Sequence, residues 1–217
     1  TTRIISGMEQ GKLRTVTESL PVNLTIDGVV LTGEIIGWTG NTIHRGMFSK
    51  VSVKYATRLW IDHLIATATC NRLLEQAVLV GRDGTKVTIS QIQPDEAFAH
   101  LEKLISLWQI ARCFPLPFFI SKDIIKPIYD QQVDFTDRQS TTNYIAAARQ
   151  KFVQAPFGKD SSGRAQPAPA DDPSVQTAFA GLQPFDLRCD VVQALADEGD
   201  RNLFAYLAEQ LCGPLVA

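Results

Sequence analysis

The chain has 217 residues, 45% of them hydrophobic and 20% charged, enough to bury a substantial core as one large domain or two small ones. Its formal net charge of −2 excludes a generically basic nucleic-acid coat but leaves room for a local basic strip. No apolar run approaches the roughly 18 residues needed to span a bilayer, and no signal-peptide pattern is present.

Residues 1–20 are mixed, with Arg3, Lys12 and Arg14 scattered around Gly7 and Gly11. From Leu20 the pattern turns to β. Val22, Leu24 and Ile26 alternate, Asp27-Gly28 is a tight-turn pair, and 29–38 is a second apolar run. Gly33 and Gly37 inside that run point to bulges or close backbone approach. After a turn at Thr39-Gly40-Asn41, residues 48–53 read as a third strand. Lys50, Ser52 and Lys54 fall on one of its faces, and Phe48, Val51 and Val53 mostly on the other. A helix over 55–70 carries Leu59, Trp60, Leu64, Ile65 and Ala68, spread too widely for one narrow stripe, so it is expected to be buried on most of its circumference. Segments 76–80 and 86–89 flank Arg82-Asp83-Gly84 as a β-hairpin.

Residues 94–119 begin as a long amphipathic helix. Pro94 suits a first helical position, and Asp95 and Glu96 put negative charge in the first turn. Phe98, Leu101, Ile105, Trp108 and Ala111 follow the 3.6-residue period, and the helix must stop near Phe114, ahead of Pro115 and Pro117. A short helix over 121–129, broken at Pro127, and a longer one over 140–154 follow. Residues 158–173 are small, polar and proline-rich and are expected to form a mobile linker or loop. Segments 174–179, 187–196 and 200–211 close the chain. The order implies a mixed α+β or α/β fold. Its expected division is a core over 1–157, the linker 158–173 and a helical C-terminal extension over 174–217.

Cys70, Cys113, Cys189 and Cys212 are far apart and form no C-x-x-C pair, so neither a zinc site nor a disulfide framework is expected, and a reducing cytoplasm is the expected setting. His44, His63 and His100 have no partner at metal or triad spacing, and no phosphate-binding loop or G-x-S-x-G elbow occurs. A basic set remains: Arg45, Lys50, Lys54 and Arg58, with His44 beside it, which is either a solvated sheet face or a strip that would meet a DNA backbone without reading sequence.

Several motifs recur in one order. The helix ending in Pro115-Leu116-Pro117-Phe118-Phe119 is followed by a segment ending in Tyr129. Before it stands Arg58-Leu59-Trp60-Ile61-Asp62-His63-Leu64. After it come Ala148-Arg149-Gln150-Lys151-Phe152, then Phe179-Ala180-Gly181, and an LCGPL ending from Leu211 to Leu215. In this the chain resembles the C-terminal region of the exodeoxyribonuclease V gamma subunit (RecC) family. The chain opens on Thr1, and with this resemblance it is expected to be the C-terminal portion of a longer protein.

The resemblance implies a degenerate restriction-endonuclease-like nuclease core, a mixed sheet flanked by helices. Active members carry a carboxylate after a G-x-I on the second strand and a D/E-x-K on the third, because carboxylates hold Mg²⁺ and the lysine steadies the attacking water. Here Gly33-Glu34-Ile35-Ile36 places Ile36 at the metal position, and Ser52 stands where the second carboxylate belongs. None of the nine lysines has Asp or Glu two residues before it. Glu34 faces away from Ile35 as a solvated residue, and Asp27 serves its turn. No catalytic residue, metal or cofactor is therefore expected. The implied role is a non-catalytic scaffold in a RecBCD-like helicase–nuclease acting in recombinational DNA repair. Its implied partners are the other subunits and DNA, and no membrane. The rival readings are a protein-interaction module of an unrelated pathway and an active metal-dependent nuclease.

Overall fold

The computed structural model describes residues 18–117, 126–128, 130–154 and 168–212. Its fold is mixed α+β, built on a five-stranded mixed sheet with helices. The chain divides into two compact units, with the boundary between Leu107 and Trp108.

In the first unit, β1 (Glu18–Ile26) and β2 (Val29–Thr39) form an antiparallel hairpin. Its two-residue turn, Asp27-Gly28, has positive φ at both positions, 47° and 75°, which suits the right-handed twist of the strands. The pairing passes from Glu18–Trp38 directly to Ser19–Ile36, so Gly37 is the extra residue of a bulge. Its φ of 84° and its closeness to β3 both demand glycine: a β-carbon there would lie 2.2 Å from the His44 carbonyl oxygen.

β3 (Thr42–Gly46) continues the meander antiparallel to β2. α1 (Val53–Cys70) then crosses to β4 (Gln76–Val80), which runs parallel to β3, and β5 (Lys86–Ile89) closes the sheet antiparallel to β4. The strand order is β1-β2-β3-β4-β5. Val22, Ile35, Trp38, Ile43, Ala77 and Leu79 from the sheet meet Leu59 and Ala66 of α1 in one apolar core. As its wide spread of apolar residues implies, α1 is buried broadly, from Ala56 and Leu59 through Trp60, His63 and Leu64 to Ala66 and Thr67. The β2–β3 turn is tied to the end of α1. There Asn41 Nδ2 donates to the Leu73 carbonyl at 3.0 Å, and Arg72 donates to that of Gly40 at 3.2 Å.

The third strand is not where the sequence pattern places it. Alternation predicts 48–53, but β3 is Thr42–Gly46, and 47–52 is a loop leading to Ser52 at the N-cap of α1. The loop lies beside the end of β4, with Met47 N donating to the Val80 carbonyl and Arg82 N to that of Ser49, each at 3.0 Å. No neighbouring strand pairs with this loop, and Val53 is already the first residue of α1. Lys50 and Lys54 therefore share no strand face, and Phe48, placed on the face opposite them, is 76% exposed.

α2 (Pro94–Ala111) carries Asp95 and Glu96 in its first turn as expected and buries Ala97, Leu101 and Ile105. The unit boundary falls within it. Beyond Leu107 the buried side passes to Ile110, and Trp108, expected on the buried stripe, is 52% exposed. The Arg112 guanidinium lies 5.1 Å from its ring centroid.

In the second unit, α3 (Arg138–Val153) starts at Asp137, whose carboxylate accepts the Ser140 N–H at 2.6 Å. Tyr144, Ala148 and Phe152 form its buried face. α4 (Pro173–Ala178) is capped by Asp172, short 3₁₀ turns follow from Pro184 to Glu198, and α5 (Leu203–Cys212) is buried on most sides. Aromatic rings join these elements: Tyr144 stacks on Phe204 at 5.7 Å, Phe185 lies 4.8 Å from Phe204, and Phe152 meets Phe185 edge-on at 5.3 Å. Asn202 ties the core together, donating to the Phe185 carbonyl at 2.8 Å and accepting from Ala205 N at 3.1 Å. Of the expected linker, residues 158–167 lie outside the described residues. At its other end Ala168 is buried and Pro169–Asp171 forms a 3₁₀ turn. Of the expected short helix 121–129, residues 121–125 and 129 also lie outside the described residues.

Candidate nucleic-acid interface

The four cations expected on one strip fall on three different elements. Arg45 is in β3, Lys50 sits in the 47–52 loop, and Lys54 and Arg58 lie one turn apart on the exposed side of α1. Helix periodicity puts Lys54, Arg58 and Asp62 in one row, and the row ends in an ion pair between Asp62 and Arg45. The Arg45 side chain is only 23% exposed, and its Nε also donates to the Ile36 carbonyl at 3.4 Å. Arg45 thus ties β2, β3 and α1 together. Lys50, Lys54 and Arg58 are the members of the set whose side chains face water.

Burial raises the Asp62 carboxyl above its ordinary range, and the nearby Arg45 and Arg58 charges pull the other way. Desolvation wins that contest, so the pair holds geometry more than it contributes stability. His44 adds no charge to the strip at neutral pH, because burial and then the Lys86 charge push its pKa below the ordinary value.

The degenerate metal positions separate. Ile36 is on the outer face of β2 and 61% exposed. Ser52 has extended backbone angles at the start of α1, with no side-chain cap bond. The strand that does follow β2 reads Thr-Ile-His-Arg-Gly and contains no carboxylate. Among the described residues, no three His, Cys, Asp or Glu side chains gather where they could hold a metal ion. Cys189 and Cys212 are buried, with thiols pushed up to about 11 and about 12 chiefly by desolvation, so neither is a ready nucleophile.

Sequence reasoning missed the part played by four residues. Asp62 was readable from its i, i+4 spacing to Arg58, but its partner Arg45 is seventeen positions back and found only through the fold. Phe48, exposed near Lys50, was hidden by the mistaken strand, and Tyr55, already read as the start of the helix, gave no local sign of its exposure. His63, fully buried, donates through Nε2 to the Ser90 carbonyl at 3.0 Å, a partner no local pattern announces.

Among the described residues, no helix is long and apolar enough to cross a membrane. Among curated proteins no match to the chain is found. The family model described as the RecC C-terminal domain matches residues 3–123. That span holds the whole sheet, α1, α2 and every residue of the basic strip. The chain belongs to the RecC C-terminal domain family.

Proposed function

We propose that this chain is the C-terminal part of a RecC-like subunit of a cytoplasmic RecBCD-type helicase–nuclease, that it performs no chemistry of its own, and that it touches DNA through Lys50, Lys54 and Arg58. Family membership carries the first part. In such a complex the domain is a scaffold for the partner subunits and a guide for DNA during recombinational repair. The meander β1-β2-β3 followed by a helix supports a core of restriction-endonuclease-like descent. Ile36 in place of a carboxylate and the acid-free β3 support the loss of its metal chemistry. Arg45 then acts as a structural clamp, held by Asp62, and the three exposed cations remain for phosphates.

Salt dependence tests the strip. With a net charge of −2 the chain should bind duplex ends weakly, near the ~10⁻⁴ M edge of non-specific affinities, with binding that fades as salt rises. Lys50→Ala/Lys54→Ala should reduce the slope of log K against log salt by about 1.8, two phosphate contacts. An unchanged slope would remove these lysines from the interface and leave the domain a scaffold only.

A further inference from the structure

Among the described residues β1 and β5 are the two edges of the sheet, and they are guarded differently. β5 is four residues long and begins at Lys86, so it offers a neighbouring strand little to pair with. β1 is nine residues long and carries no charge after Glu18. Its register shows which of its backbone groups are free. Ile26 and Val29 flank the two-residue turn and exchange both of their backbone bonds, and the alternation continues through Leu24–Leu31, Val22–Gly33 and Leu20–Ile35. The residues between them, Ser19, Pro21, Asn23 and Thr25, turn their backbone groups away from β2. All four are exposed. Pro21 therefore stands where its missing N–H costs the β1–β2 ladder nothing, but where a strand arriving from outside would need that donor. Apart from the bulge at its start, nothing else along β1 discourages a neighbour. Without Pro21 the run from Ser19 to Ile26 would be uncharged and uninterrupted, with Leu20, Val22, Leu24 and Ile26 alternating through it.

We infer that Pro21 closes the β1 edge to a second copy of this chain, and that without it two copies join β1 to β1 in one antiparallel ladder. The strand is self-complementary. About a twofold axis at Val22, Pro21 of each copy meets Asn23 of the other, Ser19 meets Thr25, and Glu18 meets Ile26 rather than a second Glu18. No like charges in β1 oppose each other in that register. What prevents the pairing is Pro21 itself. Each of the two central pairs loses one of its two bonds, the Asn23 carbonyl is left without a donor, and the pyrrolidine ring fills space the approaching backbone would take. A second copy brings a strand of equal length and no opposing charge, so it is the neighbour this edge has most reason to refuse. The pairing involves neither the basic strip nor its ligand.

Sedimentation velocity of the 217-residue chain over a range of concentrations is the test. The parent should sediment as a monomer. Pro21→Thr should dimerise about five- to a hundredfold more tightly than any self-association of the parent, the gain from restoring two ladder bonds. On dimerisation the Asn23 and Thr25 N–H groups should exchange more slowly with solvent. Asn23→Pro moves the block to the next outward position, so Pro21→Thr/Asn23→Pro should return the chain to a monomer. Both positions are exposed and turned away from β2, so these variants should fold as the parent does, which circular dichroism verifies. Pro21→Thr that stays monomeric at every concentration refutes the block. Association that survives Asn23→Pro, or that leaves the Asn23 and Thr25 N–H groups exchanging as in the parent, places the contact elsewhere and refutes it too. A parent that already dimerises with those groups protected shows that Pro21 leaves the edge open.

Discussion

At the scale of single residues, His63 shows how burial makes a local chemical group answer to pH. Desolvation holds its pKa below the ordinary 6.5, and the bond to the Ser90 carbonyl offsets only part of that. The unfolded chain therefore binds the proton more readily than the folded one. The neutral ring's contribution is complete above 6.5 and is lost as pH falls below 6.5 toward the folded-state pKa. His44 is shifted in the same direction and adds to the same window. Asp62, raised above its ordinary 3.8, acts in a separate window at lower pH and with opposite sign. Urea midpoints should accordingly fall between about pH 7.5 and about pH 5.5, and His63→Gln should flatten part of that fall. The same pH dependence in His63→Gln as in the parent would assign the effect elsewhere. Glycine gives a second contrast. Gly37→Ala meets both positive φ and the His44 carbonyl and should cost about 3 kcal/mol or more, whereas Gly84→Ala meets positive φ in open space and should cost about 1 kcal/mol. Denaturant titration of the two variants decides it.

At the scale of elements, caps and turns carry local information that survives into the fold. Asp137 at the N-cap of α3 should be worth about 1 kcal/mol, so Asp137→Ala lowers stability by that amount while Asp137→Asn retains most of it. Equal losses in the two variants would show that the charge, not the cap bond, matters. The hairpins at Asp27-Gly28 and Arg82-Asp83-Gly84 and the helix from Pro94 were legible for the same reason: turn chemistry and first-turn charge act within a few residues. The third strand was not. Residues 48–53 alternate as a strand would, but strand status needs a neighbour, and β4 takes Thr42–Gly46 as its parallel partner instead.

At the scale of the whole molecule, the placement of its carboxylates decides what the chain can hold. With Ile36 outward on β2 and no carboxylate on β3, nothing at those positions suits a hard divalent cation. The purified chain should cleave neither linear duplex nor single-stranded DNA with Mg²⁺ or Mn²⁺, and titration calorimetry should detect no tight Mg²⁺ site. Metal-dependent cleavage that Glu34→Gln abolishes would overturn this and return the chain to the active nucleases. The two compact units each hold their own apolar cluster, one between α1 and the sheet, the other around Phe185 and Phe204.

The sequence by itself determined the α+β class, the two hairpins, the bounds of the long helices to within a few residues, and the family, because turn chemistry, 3.6-residue periodicity and ordered motifs are local or linear properties. Only the tertiary structure decided which basic residues are available. Arg45 is spent on Asp62, His44 is neutral, and Lys50, Lys54 and Arg58 stay in water beside an outward Phe48. Trp108 likewise keeps helical phase with Leu101 and Ile105 yet lies half exposed, since burial depends on what the rest of the chain brings to that side. Periodicity says which side chains share a face; only the fold says whether that face meets protein or water.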